Sequence, residues 1–260
     1  MKLTFLGTGT SQGVPVIGCQ CDVCRSTDPR DKRLRTSAML EWRGVRLVID
    51  AGPDFRYQLL RAGVSRVDGI LLTHEHKDHV GGLDDVRALN FVDYPTVRPV
   101  DLYATARTLR TVKKDFDYAF VTDKYRGVPE IRLHTISQSA PFRIGQAEIL
   151  PIAGQHSPRF EVTGFRFGRL AYLTDFKQIE EQELRKLAGV EVLVINALRF
   201  APHDSHLNVE EALSWIRKIN PKRAYLTHMS HEMGLYDVTS HELPEGVELA
   251  YDTLEIELND

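Results

Sequence analysis

The 260-residue chain is short of several features that would mark common function classes. Long hydrophobic runs are absent. The best candidate, 190–198, is cut by Glu191 and Asn196 and falls well below the roughly eighteen apolar residues of a membrane span. The opening MKLTFLGTGTSQG has a four-residue LTFL run before glycine, too short for a signal-peptide core. A cytoplasmic protein with no membrane partner is expected. Charge excess is missing too: 33 basic against 36 acidic residues leave −3, with no basic patch for a polyanion. No Pro/Ser-rich linker, charge run or solenoid repeat divides the chain, so 1–260 reads as a single domain. A chain of this length buries roughly three-quarters of its unfolded surface and needs no disulfide framework. Cysteine is scarce: there are three, an odd number that cannot all pair.

Those three are spaced Cys19-x-Cys21-x-x-Cys24. Thiolates so close repel one another unless a cation or protons neutralise them, and a closed structural zinc site with a fourth ligand from elsewhere is the usual solution. Histidine, by contrast, is abundant at ten. His74-Glu75-His76-Lys77-Asp78-His79 packs three imidazoles and a carboxylate into six residues, a donor set suited to zinc, manganese or iron. From an irregular loop His74 and His76 can chelate one ion. Asp78 and His79, opening the next helix, can face a neighbouring one. Without a cation, such groups would crowd and desolvate each other for no return.

An internal echo points to more ligands. GILLTH at 69–74, LAYLTD at 170–175 and RAYLTH at 223–228 are apolar runs ending in Thr and a polar residue. RLVIDAG at 46–52 ends in Asp50 and then glycine. Such runs read as buried strands, and residues just past strand ends share one sheet edge. Asp50, His74, Asp175 and His228 are therefore expected to converge, with Asp175 the candidate to bridge two cations. His156, in GQHSP, is expected in a turn after a strand at 147–152. Further strands are expected at 2–6, 37–42, 100–103, 164–167 and 192–195. One continuous helix is expected over 78–90, a capped one from Asn208 and Glu211 to about 218, and shorter ones at 55–62 and 180–188. This interspersion indicates a layered α/β protein with mixed sheets. The stretch 118–127 fits no period and is expected as a loop or cap; His134 falls on a strand and His241 on the surface.

The set His-x-His-x-Asp-His at 74–79, His156, Asp175, His228 and Asp50 ahead of glycine resembles the metallo-β-lactamase superfamily over nearly the whole chain. That resemblance implies an α/β (α+β) four-layered αββα sandwich of two mixed sheets with a two-metal site. His74, His76 and His156 would hold one ion and Asp78, His79 and His228 the other. Asp175 would bridge them, and Asp50 would steady the cluster from behind. LGTGTSQGVP at 6–15, the cysteine triplet and THMSH at 227–231 are similar to the phosphoribosyl 1,2-cyclic phosphate phosphodiesterase subgroup. This implies a separate structural zinc on Cys19, Cys21, Cys24 and His231; spacing alone does not choose His231 from ten histidines. His206 matches the histidine that protonates the leaving group there, and its place at the helix start favours it over nearby His203.

The expected enzyme is a dinuclear metal-dependent phosphodiesterase, with Asp78, Asp175 and His206 catalytic. Hydroxide held between the ions would open a small, cyclic ribosyl phosphate diester. Zinc or manganese would serve as the two catalytic ions, with iron also suited. The expected partner is a small phosphorylated substrate, not nucleic acid, and a homodimer is left open. Two alternatives stand beside this. An RNA-processing nuclease of the same superfamily is disfavoured by the charge, and a cofactor-biosynthesis binding or carrier protein is disfavoured by the complete ligand set. The stretch 98–150 departs most from the subgroup, and Arg199, Arg35 and Lys177 are candidates for a distal phosphate.

Overall fold

Successive residues of a strand face opposite sides, so a strand apolar on both sides must be covered on both. The computed structural model describes residues 1–259 and arranges fourteen strands in two seven-stranded sheets. In chain order they are β1 (Lys2–Gly7), β2 (Ser37–Trp42), β3 (Val45–Ile49), β4 (Gly69–Leu71), β5 (Val100–Ala104) and β6 (Ile131–Thr135). There follow β7 (Phe142–Ile144), β8 (Ala147–Ser157), β9 (Phe160–Phe167), β10 (Leu170–Leu173), β11 (Val192–Asn196), β12 (Arg223–Thr227), β13 (Val247–Leu249) and β14 (Glu255–Glu257). One sheet runs β14-β1-β2-β3-β4-β5-β6 and the other β13-β12-β11-β10-β9-β8-β7. Pairing is antiparallel from β14 to β3 and parallel from β3 to β6. The second sheet repeats this, antiparallel from β7 to β10 and parallel from β10 to β13. The strands β3 and β10 therefore hold equivalent places, and the aspartates just past them, Asp50 and Asp175, share a left-handed backbone at φ 64° and 61°.

Leu3, Phe5, Leu47, Ile49, Phe165, Tyr172 and Val194 fill the space between the sheets. Val48, Ile70 and Leu102 face outward from the first sheet under Phe55, Leu59, Val80 and Val86. Ala171, Leu193 and Ile195 do so from the second, under Leu187, Ala212 and Ile216. Helices thus cover the outer face of each sheet, giving the αββα layers. The central parallel strands are buried on both faces, which is why they read as unbroken apolar runs.

The helix opened by Asn208 forms as Val209–Ile219 with both capping-box bonds, at 2.8 and 2.9 Å. The expected continuous helix at 78–90 does not form. It is divided into Lys77–Val80, a 3₁₀ turn Leu83–Asp85 and Val86–Asn90. The cause is the backbone that follows Asp50. Gly82 N–H donates to the Ala51 carbonyl at 2.9 Å, outside its own helix. A Cβ on Gly82 would stand 2.0 Å from the Gly52 oxygen, and one on Gly52 1.9 Å from the Asp78 oxygen. Glycine at both positions lets two backbones touch. Helical spacing survives the break because it records the buried face, Val80, Leu83 and Val86, and not continuity.

His156 lies in the extended β8, at a register shift between Gln155 and Ser157, and not in a turn. The shorter helices form as Phe55–Arg61 and Glu181–Arg185. One helix was not legible from periodicity, Ala106–Asp115, whose buried apolar residues are only Leu109 and Val112. Within 118–127, the Tyr118 hydroxyl donates to Asp84 at 2.6 Å, tying this stretch to the divided helix. His134 is on β6 and His241 is exposed. No helix among the described residues is long and apolar enough to cross a membrane.

Candidate metal centre

The C-terminal ends of β3, β4, β8, β10 and β12 deliver side chains to one buried cluster. Asp50 lies at its back, fully buried. It accepts from Thr73 N–H at 2.8 Å, from the Thr73 hydroxyl at 2.9 Å and from His79 Nδ1 at 2.7 Å. The same Thr73 hydroxyl meets His74 Nδ1 at 2.9 Å, so it accepts from the ring while donating to Asp50. His156 Nδ1 donates to the Ser205 carbonyl at 2.8 Å. In their neutral form these three imidazoles are thereby held in the tautomer whose lone pair is on Nε2, the arrangement found behind ligating histidines.

His79 Nε2 stands 3.2 Å from carboxylate oxygens of both Asp78 and Asp175. His228 Nε2 lies 3.1 Å from Asp175 and 3.7 Å from Asp78. His74 Nε2 meets His76 Nδ1 at 3.0 Å. Among the described residues, His79 Nε2, His206 Nδ1 and both His228 ring nitrogens are buried without a hydrogen-bond partner. Burial pushes His79 down, but Asp78, Asp175 and Asp50 outweigh it and raise it well above the ordinary imidazole range. Burial likewise works against ionised Asp175 and Asp78, yet the surrounding histidines hold both well below the carboxylate range. His74 is pushed far down by burial and by His79, so it is neutral. Asp50, Asp78 and Asp175 have only histidines as ion-pair partners among the described residues. Carboxylates that face inward with no lysine or arginine among them, beside buried imidazole nitrogens that have no hydrogen-bond partner among the described residues, fit divalent ions.

Ligand atoms of His74, His76 and His156 lie within 4.8 Å of one another, and so do those of Asp78, His79 and His228. Asp175 shares a third such group with His74 and His79, so its carboxylate reaches both triads. His206 belongs to a fourth with His156 and Asp175, its Nδ1 3.4 Å from Asp175 and its ring 4.8 Å from that of His228. Burial and His228 push His206 down to about 3. His203 is further out, its ring 5.2 Å from His206.

Glu75, between two of these ligands, turns away and accepts from Arg107 Nε at 2.6 Å and the Thr108 hydroxyl at 3.2 Å. Arg35 pairs with Asp54 at 3.1 Å, Lys177 with Glu211 at 2.8 Å and Arg199 with Glu232. The three cations expected to face a distal phosphate are therefore already engaged by carboxylates.

The cysteine cluster is separate. Cys19 and Cys21 Sγ each lie 3.3 Å from His231 Nδ1, and Cys24 completes a group within 4.8 Å. Hydrogen bonding to His231 pulls the Cys21 thiol down to about 6, while burial pushes Cys24 up to about 11. The two clusters are joined through residues 228–231. Met229 N–H donates to the Thr8 carbonyl at 2.9 Å, and buried Arg33 donates to the Ser230 carbonyl at 2.9 Å.

Residues 45–229 match the family described as the beta-lactamase superfamily domain. The chain belongs to the metallo-β-lactamase superfamily. Within it, a solved diphosphatase from the PhnP family is 40% identical with a TM-score of 0.91, covering 99% of this chain and 98% of that one. This places the chain in the PhnP-like branch of the superfamily. A Porphyromonas gingivalis octanoyltransferase is 38% identical over 257 residues, 98% of this chain and 51% of that protein. The chain thus spans about half the length of that curated relative. A ribonuclease Z of Pyrobaculum neutrophilum is 27% identical over 271 residues, covering 88% of this chain and 87% of that protein.

In this superfamily member, sequence reading missed the groups that orient the ligands. The repeated Thr before each polar strand end was visible, but its use was not. Thr73 bonds Asp50 and Thr174 donates to Asp175 at 2.8 Å, whereas Thr227 Oγ1 has no partner among the described residues. The Ser205 carbonyl behind His156 left no signal, because any residue supplies a carbonyl.

Proposed function

We propose that this chain is a metal-dependent phosphodiesterase acting on a small phosphate diester, a cyclic ribosyl phosphate being the favoured form. The observation that carries this reading is Asp175, whose carboxylate reaches two ligand triads at once while His206 lies against it with an unpartnered ring nitrogen. In this reading His74, His76 and His156 hold one divalent ion, and Asp78, His79 and His228 hold a second. Asp175 would reach both, and zinc or manganese suits the donors. Such a pair of ions supplies a nucleophile at neutral pH and offsets the charge of a phosphoryl group. A structural zinc on Cys19, Cys21, Cys24 and His231 is proposed separately.

The protein's own part is orientation and proton transfer. Asp50 and Thr73 keep His74 and His79 in one tautomer, and the Ser205 carbonyl does this for His156. His206 is neutral in the substrate-free cluster, since burial disfavours its charge. An anionic phosphate beside it favours the imidazolium, so substrate binding would favour uptake of a proton from solvent, which the ring would then give to the departing sugar oxygen. Likeness to the PhnP-family diphosphatase supports phosphoester chemistry, and the ribonuclease Z likeness makes RNA the competitor to exclude. The octanoyltransferase name belongs to a protein about half of which this chain does not match, and it motivates no acyl-transfer reading.

Metal-defined protein should be screened on bis(p-nitrophenyl) phosphate, a cyclic ribose phosphate and a small RNA. Turnover of the first two is expected. No turnover of any diester with both triads loaded would sink the reading. Metal analysis addresses the carrier alternative, which predicts an ion at the cysteines alone.

A further inference from the structure

The candidate histidine ligands are not all aimed in the same way. His74, His79 and His156 each have a ring nitrogen bonded to a protein oxygen, from Thr73, Asp50 and the Ser205 carbonyl. His228 has no such bond, but it is buried and stacked against the His79 and His206 rings. His76 has neither a bonded oxygen nor full burial. Among the described residues its one ring-nitrogen contact is Nδ1 with His74 Nε2, at 3.0 Å. That separation is close to the roughly 3.3 Å between two nitrogens on one tetrahedral zinc. Nδ1 is therefore the ligand atom, and Nε2 is left with no protein acceptor. A half-buried imidazole with no such bond turns about its side-chain bonds unless packing stops it.

The packing on His76 is a circuit of contacts that closes on itself. Its ring lies against Phe160, centroids 4.4 Å apart and tilted by 58°. The Arg107 guanidinium lies over the same Phe160 ring at 5.2 Å. Arg107 Nε donates to Glu75 at 2.6 Å, and the other Glu75 oxygen accepts from the hydroxyl of buried Thr108 at 3.2 Å. Glu75 is joined to His76 by the peptide bond. The circuit ties together three elements: the loop 74–79, the helix Ala106–Asp115 and the hairpin of β8 and β9. In that hairpin Phe160 pairs with Ser157, the neighbour of His156.

We propose that Phe160, held by Arg107 and Glu75, is the positioning residue of His76 and sets how tightly the ion shared by His74, His76 and His156 is bound. The inference rests on the two-ion part of the phosphodiesterase reading and is independent of the substrate. An aromatic face fixes the plane of an imidazole without competing for its lone pair, which the ion needs. The guanidinium steadies that face by its attraction to the ring, and Glu75 neutralises the charge it brings near the metal loop. The hairpin that carries Phe160 also carries His156, so two of the three ligands are referenced to one element. Glu75, Arg107 and Phe160 make no contact with Asp78, His79 or His228 among the described residues, so the effect belongs to one ion.

The test uses the zinc-loaded full chain as wild type, Phe160→Ala, Phe160→Tyr, Arg107→Ala and the double alanine variant. Chelator titration with elemental analysis counts the ions retained. In Phe160→Ala one ion of the histidine cluster should bind about 10- to 100-fold more weakly, the range for losing what orients a ligand. The other ion and the cysteine-bound ion should be held as in wild type. Phe160→Tyr keeps the ring and should restore the affinity. Arg107→Ala should weaken the same ion by about two- to fivefold, the fold-change of an exposed cation–π contact. Added to Phe160→Ala it should cost nothing more, because Arg107 acts through the ring. Equal weakening of both ions, unchanged affinity in Phe160→Ala, or a full extra loss in the double variant would overturn the assignment. A second readout needs neither metal nor turnover: nuclear Overhauser contacts of the His76 ring in the metal-free chain. The contact with His156, whose ring centroid is 5.0 Å away, should be present in wild type and Phe160→Tyr and weakened in Phe160→Ala. That outcome supports the clamp even if no diester is cleaved, and an unchanged contact in Phe160→Ala overturns it.

Discussion

The cysteine cluster and the histidine–aspartate cluster are both groups of metal-ligand side chains, yet they are built in opposite ways. Three ligands of the first lie within six residues, with Cys19 and Cys21 ahead of the one-turn helix Asp22–Arg25 and Cys24 inside it; Cys21 is exposed, and one distant residue, His231, completes the group. The second draws its candidate ligands from the ends of several strands and buries all but His76 and Asp78. Sulfur ligands close together in the chain need few supports, because their spacing already brings them to one point. Imidazoles and carboxylates inside a protein must be aimed beforehand, since each unmet lone pair is costly there. That is why Asp50, Thr73 and Ser205 stand behind the second cluster, while the cysteines have little behind them beyond the Val16 N–H on Cys24 at 3.4 Å.

The largest effect that separates the two should come from Asp175→Ala. It removes the carboxylate shared by both triads, and breaking a buried charge cluster costs about 3–5 kcal/mol. Diesterase turnover should fall to background with the ions of the histidine cluster lost, while elemental analysis still finds zinc at the cysteines. His206→Ala should lower turnover by roughly 10²- to 10⁴-fold with metal content intact, as expected for loss of a proton donor. Unchanged turnover would remove its role. Asp50→Asn is subtler. The amide can turn its NH₂ toward His79 Nδ1, which favours the tautomer with the proton on Nε2. Metal affinity measured by competition with a chelator should weaken by about 10- to 100-fold. The smallest effect on activity should come from Cys21→Ser, which should release only the cysteine-bound ion. It should lower Tm by about 2–4 °C for each kcal/mol lost, with most diesterase activity retained. If Cys21→Ser instead empties the histidine cluster, the two sites are one unit, joined through residues 228–231.

Much of the site was legible before any coordinates, and the misses have physical causes. Apolar runs ending in Asp or His were readable as strands because burial on both faces leaves little room for polar residues. The capping box at Asn208 and Glu211 was readable because it is a local bond between residues three apart. The break at Gly81 and Gly82 was not, because its cause is the approach of residues 50–52 from another element. The helix Ala106–Asp115 was hidden by its composition, with four basic residues and only Leu109 and Val112 as buried apolar ones. His156 was expected in a turn because glycine and proline flank it, and pairing with β9 extended the strand instead.

The sequence by itself determined the donor set at 74–79 and its spacing, because ligand types within one loop are properties of the chain alone. It also determined the layering, since runs apolar on both faces can be satisfied only between two covers. Tertiary structure decided which nitrogen of each histidine faces inward, because that depends on hydrogen bonds from residues distant in the chain. It also decided which cations are free. Arg35, Lys177 and Arg199 were candidates on paper and are neutralised by partners 19 to 34 residues away. Charge is written in the sequence, but whether a charge is already spoken for depends on what the fold places beside it.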